Sequence, residues 1–248
     1  MKLLALDTST ERCSVALWLD GETRWREARA QRGHGEHVLR MIDELLRESA
    51  IALRGLDAIA FGAGPGAFTG VRLAASITQG LAYSSDLPVL PVSSLRATAQ
   101  QALWPVVGAK AQIDDLVQPA AGVLVCQDAR MGEVYWAVFR RGEGVAVADT
   151  PEAVGRPAAV MAALAGYPTT PVLCGAGSGF SAYSDLALGL RDRLVAVIPG
   201  LEPHAREVAL LAACAGLAAA RPPAEAQPVY LRNDVAAVPA PQSSLVQG

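Results

Sequence analysis

The residues best suited to chemistry lie in two short stretches. Gly62 to Arg72 reads G-A-G-P-G-A-F-T-G-V-R, four glycines and a proline in eleven residues. Gly62, Gly64, Gly66 and Gly70 permit positive φ and close approach of another backbone, while Pro65 fixes one φ and has no N–H to donate. With Phe68 and Thr69 they join a strand end to a helix start. Such a loop could be a structural turn, cradle an anion or present a tight surface to a partner. It lacks the Gly-Lys-Ser/Thr ending of a Walker loop, and its glycine spacing does not fit the dinucleotide fingerprint. The second stretch, Asp7-Thr8-Ser9-Thr10, places a carboxylate and three hydroxyls at another strand end, as a tight turn or as contacts to a phosphate and its metal. Asp128 ends the first strand of the chain's second half as Asp7 does that of the first. Two carboxylates facing across a cleft would suit magnesium and phosphate, although an acidic residue at a strand end is also an ordinary turn former.

Other chemistry is thin. His34 and His37 lie three apart at a helix start, without an obvious third ligand, and read as a solvated helix end. His204 precedes the last long helix with no sequence-local partner. Glu133, beside Gly132, could serve as an acid or base, though a charged hairpin residue is the default. No G-x-S-x-G elbow is present and no cysteine has a signature histidine nearby, so nucleophilic hydrolysis has no visible apparatus. Cys13, Cys126, Cys174 and Cys214 are too dispersed for a zinc site or a small disulfide scaffold and read as reduced thiols of a cytoplasmic protein.

The chain must position these groups with 248 residues, 52% of them apolar and 18% charged, enough for one large domain or two small ones. A formal net charge of −3 and the absence of a basic run argue against stand-alone nucleic-acid binding. No apolar run is long enough for a membrane span, and Asp7 interrupts the N-terminal apolar stretch too soon for a signal-peptide core. Strands are predicted at 3–6, 14–19 and 23–28, with Asp20-Gly21 as hairpin turn. Val38, Leu39, Ile42, Leu45 and Leu46 fall at helical spacing in an amphipathic helix over 37–49. A strand over 57–61 leads through the glycine loop into a helix over 71–83. That helix carries Ala74, Ala75, Thr78, Gly80 and Ala82 among Leu73, Ile77 and Leu81, and such small residues let its own sheet or another element approach closely. A strand over 87–92 follows, and Ser93 or Ser94 caps a helix to about Leu103. After a polar connection over 105–119, strands at 123–127, 134–139 and 145–148, a helix at 158–165, a strand at 172–174 and a helix over 205–220 repeat the order βββαβα. The domains read as a lobe 1–104, a lobe 105–223 and a tail 224–248 whose last dozen residues are expected to be disordered.

With these segments laid out, the chain resembles the TsaB (YeaZ) family, the bacterial partner protein in making threonylcarbamoyladenosine on tRNA. The resemblance rests on L-A-L-D-T-S-T-E-R-C-S-V-A-L-W at 4–18, G-P-G-A-F-T-G-V-R at 64–72, P-V-S-S-L at 91–95, D-A-R-M-G-E-V-Y-W-A at 128–137 and P-V-Y-L-R at 228–232. These pieces run in the family's order over nearly the whole chain. The glycine loop alone is shared with the catalytic paralogue TsaD, and Ala67 replaces the family's usual serine.

The resemblance implies an α/β, actin-like (ASKHA, ribonuclease H-like) fold of two lobes. It implies a non-catalytic subunit, since Ser94 and Thr98 stand where the catalytic paralogue carries an H-x-x-x-H metal pair, and hydroxyls are poor replacements for imidazole. It places the partner surface on helices 37–49 and 71–83, here Val38, Leu39, Ile42, Leu45, Leu46, Arg72, Ala75, Ile77 and Gln79. The implied partners are a TsaD-type paralogue, a TsaE-type ATPase and, when alone, a second copy of itself, with tRNA reached only through the complex and no membrane. No cofactor is required by this chain, ATP, ADP and magnesium being used by the partners; Asp7, Thr8, Ser9 and Asp128 would line a degenerate nucleotide cleft. The competing reading, from fold analogy, is an ATP-using phosphotransferase or ATPase acting through Asp7, Thr8 and Asp128. Peptidase activity, a label attached to some relatives of this fold, has neither a metal pair nor an activated nucleophile to support it.

Overall fold

In the computed structural model, residues 1–29, 33–104, 120, 122–168 and 172–232 are described. The expected connection over 105–119 and the last dozen residues lie outside them.

The first sheet is built from β1 (Lys2–Asp7), β2 (Arg12–Leu19), β3 (Glu22–Arg29), β4 (Ala58–Gly64) and β5 (Val89–Ser93), in the order β3-β2-β1-β4-β5. β1 runs antiparallel to β2 and parallel to β4, and both β1 and β4 are continuous apolar runs buried along nearly their whole length, as strands covered on both faces require. β3 sits at the edge and keeps its charges outward. The hairpin into it turns at Asp20 and Gly21, both at positive φ.

The second sheet repeats this plan with β6 (Gly122–Arg130), β7 (Glu133–Arg141), β8 (Ala146–Ala148), β10 (Leu173–Ala176) and β11 (Leu194–Ile198), ordered β11-β10-β6-β7-β8, while β9 (Ala153–Gly155) also pairs with β7. β6 is antiparallel to β7 and parallel to β10, matching β1 with β2 and β4. The repeated order is therefore longer than predicted. β9, β11 and the short helices α5 (Gly179–Ala182) and α6 (Ser184–Gly189) that precede β11 are additions to the predicted order.

Helices fill three layers around the two sheets. α1 (His34–Glu48) and α2 (Phe68–Ser85) cover the outer face of the first sheet, with Val38, Met41, Ile42, Leu45, Ala74 and Ala75 packed against Leu4, Leu6, Val15, Leu17 and Phe61. α4 (Pro157–Ala165), α5 and α6 cover the outer face of the second, where Val160, Leu164, Phe180 and Leu186 meet Leu124, Cys126 and Val138. Between the sheets lie α3 (Ser94–Leu103) and α7 (Ala205–Ala215). They cross over: α3 packs Leu95, Ala99 and Leu103 on Val123, Val125 and Phe139 of the second sheet, and α7 packs Val208, Ala209 and Ala212 on Leu3, Ala5, Ala16 and Ala60 of the first. Each half of the chain thus contributes the helix that closes the inner face of the other half's sheet. Among the described residues no helix is long and apolar enough to cross a membrane.

Several boundaries move for local reasons. α1 begins one turn before the predicted start, after Gly33 at φ 79°, and α2 begins inside the glycine loop at Phe68. α7 stops at Ala215, because Gly216 (φ 71°) leaves the helical region, and not near 220. Ser93 does cap α3, its Oγ accepting the N–H of Arg96 at 3.1 Å.

α7 is fixed at its start by two polar contacts, one buried and one partly so. The N–H of Ala205 donates to Ser14 Oγ at 2.9 Å, and that of Arg206 donates to His204 Nδ1 at 3.0 Å. The latter bond requires an unprotonated Nδ1, so the ring is neutral with its proton on Nε2, 3.2 Å from the Glu27 carboxylate. Burial, with the Arg206 and Arg12 guanidiniums nearby, pushes the His204 pKa from 6.5 down to about 3. Below pH 6.5 the unfolded chain binds a proton there that the folded chain refuses. His204 therefore favours the fold fully above pH 6.5 and withdraws that support as pH falls toward 3, with a slope of at most about 1.4 kcal/mol per pH unit. Asp7 and Glu207, whose carboxyl pKa values burial raises above 3.8 and 4.5, act in the opposite sense in the acid range. His204→Asn, which keeps an acceptor for the cap, is expected to flatten the wild-type loss of urea stability between pH 6.5 and 4.5; parallel curves for the two proteins would show that the imidazole is not the titrating group.

Candidate functional site

The two chemistry-bearing stretches of the first lobe are in contact, and mainly with each other. Asp7 Oδ1 accepts the backbone N–H of Ser9 at 2.9 Å and its hydroxyl at 2.7 Å, and Oδ2 accepts from Ser94 Oγ at 3.4 Å. Thr8 Oγ1 donates to the Gly70 carbonyl at 2.6 Å, and the N–H of Ala67 donates to the Ser9 carbonyl at 2.8 Å. A Cβ on Gly62 would stand 1.9 Å from Asp7 Oδ2, and one on Gly70 would stand 1.9 Å from the Thr8 carbonyl oxygen. These glycines are needed for close approach of the loop to the 7–10 turn. Gly64, at φ 101°, and Pro65 carry the chain from β4 toward α2. Of the readings open to the loop, a structural clasp is the one its internal contacts satisfy.

A cavity of about 1180 Å³ opens between the lobes beside this clasp. Ser9, Pro65, Gly66, Phe68, Thr69 and Gly70 line one wall; Gln127, Asp128 and Ser178 line another. Asp7 and Thr8 are fully buried and do not line it, so the two carboxylates do not face each other across the cleft. Asp7 is closed in beneath Ser9 and Gly62, where burial raises its pKa and favours the neutral acid. Asp128 reaches the cavity with its carboxylate already engaged: Oδ1 accepts from the N–H of Arg130 at 2.8 Å and from Tyr183 OH at 3.0 Å, and Oδ2 lies 3.2 Å from the Arg130 guanidinium.

Gln127, which sequence reasoning passed over, is the more connected neighbour. Its Nε2 donates to Thr98 Oγ1 (3.2 Å) and to the Leu201 carbonyl (3.1 Å), and its Oε1 accepts from the N–H and hydroxyl of Ser178 (3.2 and 2.7 Å). The signal was a buried-type position in an apolar strand occupied by an amide, which must find partners inside. His34 Nε2 meets the Glu11 carbonyl at 3.2 Å, whereas His37 Nδ1 meets Arg40 at 3.3 Å, so the imidazoles serve separate neighbours. Glu133 is paired with Arg232. Among the described residues no group of three or more His, Cys, Asp or Glu is placed to hold a metal ion.

The helix surface differs from expectation in which side chains it offers. Val38, Ile42 and Leu45 are buried in the first lobe's own core, Leu46 packs against that core, and Leu39 alone of the five is exposed, at 52%. On α2, Ala75 is only 4% exposed and Ile77 packs inward. Gln79 donates to the Pro223 carbonyl at 3.2 Å, and Arg72 is exposed, donating to Tyr230 OH at 2.7 Å with its guanidinium 3.3 Å over the Phe68 ring. The apolar stripe of α1 identifies a face that must be covered, and the first sheet covers it. What α2 leaves open is another stripe: Thr69, Ser76, Gly80 and Tyr83 are exposed and Leu73, on the same stripe, is half-buried, with spacings alternating between four and three residues. Among the described residues nothing lies within 4 Å of a Cβ built on Gly80, and Tyr83 is 60% exposed.

Two sheets of like order and direction, each extended by parallel strands and enclosing a cleft between lobes, define a protein of the actin-like class. The comparisons narrow this. The family model described as TsaD, tRNA N6-adenosine threonylcarbamoyltransferase, matches residues 28–237. The tRNA threonylcarbamoyladenosine biosynthesis protein TsaB of Escherichia coli (strain K12) is 41% identical over 246 residues, covering 95% of this chain and 96% of its own. YeaZ from Pseudomonas aeruginosa superposes with a TM-score of 0.76 at 38% identity, over 93% of this chain and 99% of that one. A Pseudomonas aeruginosa protein described as uncharacterized, with similarity to peptidase YEAZ, does so with a TM-score of 0.79 at 39% identity over the same shares. The chain belongs to the TsaB (YeaZ) family.

The clasp and the open stripe give opposite expectations for the same substitution. Gly70→Ala drives a methyl into the Thr8 carbonyl and is expected to destabilise the protein by about 3 kcal/mol or more. Gly80→Ala, in open helix, is expected to be neutral or to stabilise by up to about 1 kcal/mol. Chemical denaturation of both variants checks the pair; equal effects would mean that Gly70 is not held against the turn.

Proposed function

We propose that this chain is a non-catalytic accessory subunit that binds and activates a TsaD-type enzyme in forming threonylcarbamoyladenosine on tRNA, at the adenosine beside the anticodon of ANN-decoding tRNAs. The observation that carries the reading is the open stripe of α2. Ser76 and Gly80 let a partner helix come close, and the exposed Tyr83 and half-buried Leu73 flank them with apolar surface. Leu39 of α1 adds a further exposed apolar side chain. The lack of a catalytic role is supported by Ser94 and Thr98. Both are fully buried, Thr98 Oγ1 donates back to the Ser94 carbonyl at 3.0 Å, and hydroxyls so committed do not make the metal pair that the resemblance assigns to the catalytic paralogue.

On this reading the stripe takes a TsaD-type paralogue, or a second copy of the chain when that partner is absent. A TsaE-type ATPase joins the assembled pair, tRNA is engaged through the complex in the cytoplasm, and the nucleotide and magnesium belong to the partners. A second reading, an ATP-using phosphotransferase, draws on the inter-lobe cavity and the cleft residues Ser9 and Asp128. Burial of Asp7 away from that cavity weighs against it.

Light scattering on chromatographed mixtures separates the two. The wild-type chain is expected to form a heterodimer with the TsaD-type protein of the same organism. Gly80→Arg, which has room for its side chain in the monomer, is expected to lower that affinity at least about a hundredfold by placing a charge in an apolar contact. Full association of Gly80→Arg would remove the stripe as the interface. Nucleotide hydrolysis by the isolated wild-type chain that is lost in Asp128→Ala would favour the second reading.

A further inference from the structure

The segment Pro228–Arg232 starts on the first lobe and ends on the second. The N–H of Val229 donates to the Ala63 carbonyl at 2.7 Å, at the end of β4. Tyr230 accepts from Arg72, and its ring lies 6.4 Å from that of Phe68. Two residues on, the Arg232 guanidinium donates to the Ala129 carbonyl at 3.3 Å and pairs with the Glu133 carboxylate, on either side of the β6–β7 turn. Residues 229–232 all line the inter-lobe cavity.

We propose that Pro228–Arg232 is a latch across the mouth of the inter-lobe cavity, with the Arg232–Glu133 ion pair as its releasable end. The two ends differ in kind. The first is held by a backbone hydrogen bond and follows Ala226, which is buried in the first lobe's core. The second is held by one side chain, in a partly exposed ion pair of the sort that contributes little and yields to salt.

What the latch grips is a turn under conformational load. Arg130 and Met131 both take positive φ, 61° and 57°, ahead of Gly132 at 79°. The Asp128 carboxylate on the N–H and guanidinium of Arg130 steadies it from within, and the Arg232 guanidinium on the carbonyl of Ala129 and the carboxylate of Glu133 steadies it from the latch. Met131, at the tip, is 80% exposed and has Sδ 3.5 Å from Arg232. Release of Arg232 frees the turn and uncovers the cavity, while Gln127 still ties α3 and the Ser178 loop at its base.

Hydrogen exchange on the full chain, read by mass spectrometry, tests this in Arg232→Ala, in the near-isosteric Glu133→Gln, and in the exchange Arg232→Glu with Glu133→Arg. Peptides covering 128–136 are expected to exchange about tenfold faster in each single variant, with β1 and the anchoring 62–70 segment unchanged and protection at least partly restored in the exchanged pair. One molar salt is expected to speed the same peptides in the wild type but not in Glu133→Gln. Wild-type rates in Arg232→Ala, acceleration that reaches β1, or an exchanged pair as fast as the singles would overturn the latch.

Discussion

The structure depends on the contact between the Thr8 carbonyl and Gly70. β1 and β4 are parallel neighbours at the centre of the first sheet, and the segments that follow them must leave the sheet on the same side without colliding. They do so by interlocking. The carbonyl side of the 7–10 turn occupies the space where Gly70 has no Cβ, Asp7 fills the space beside Gly62, and Thr8 returns a hydrogen bond to the Gly70 carbonyl. Position and direction of α2 follow, because its first turn is part of the contact. The surface stripe of α2, the lining of the cleft and the seat of Tyr230 are all placed by that helix.

The same economy operates between the lobes. α3 and α7 share the middle layer, and Gln127 joins α3 to the Ser178 loop and to the Leu201 carbonyl just before α7. Polar groups in this region are tied to one another: Ser94 to Asp7, Gln100 to the backbone of Gly144 and Ala146, Gln101 to the Glu202 carbonyl. A buried amide or hydroxyl with its partners in place specifies one relative arrangement of the elements it joins, because any sliding leaves a desolvated donor or acceptor unmet. The cleft base is therefore set by specific bonds, and the 228–232 strap crosses its mouth.

Much of the first lobe was legible in the sequence, because its signals are local. The 3–6 run, the Asp20-Gly21 turn and the spacing of Val38, Ile42 and Leu45 each define an element without reference to the rest. The second lobe was less legible where its elements are short: α5 and α6 have four and six residues, too few for a helical period, and β11 follows them directly. The two site stretches are local in sequence and legible there, whereas which of their side chains reach the cavity is set by neighbours distant in sequence. Periodicity says that one face of α1 is covered but not by what, so side chains claimed by the first sheet were assigned to a partner. Asp7 and Asp128 stand at like points in the repeat, yet neighbours distant in sequence leave one sealed and the other in the cavity wall.

The crossed middle layer also has a consequence for how the chain is made. The inner face of the first sheet, with Leu3, Ala5, Ala16 and Ala60, is closed by residues 205–215. During synthesis that face is complete in sequence by residue 93 but lacks its covering helix until residues 205–215, more than a hundred residues later, have also left the ribosome. The two lobes are thus not successive folding units in the order of their translation. Until α7 emerges the nascent first lobe carries an uncovered apolar inner face, a state that favours chaperone capture and makes the α7 segment the step on which the first lobe waits, the second sheet being closed by the earlier α3.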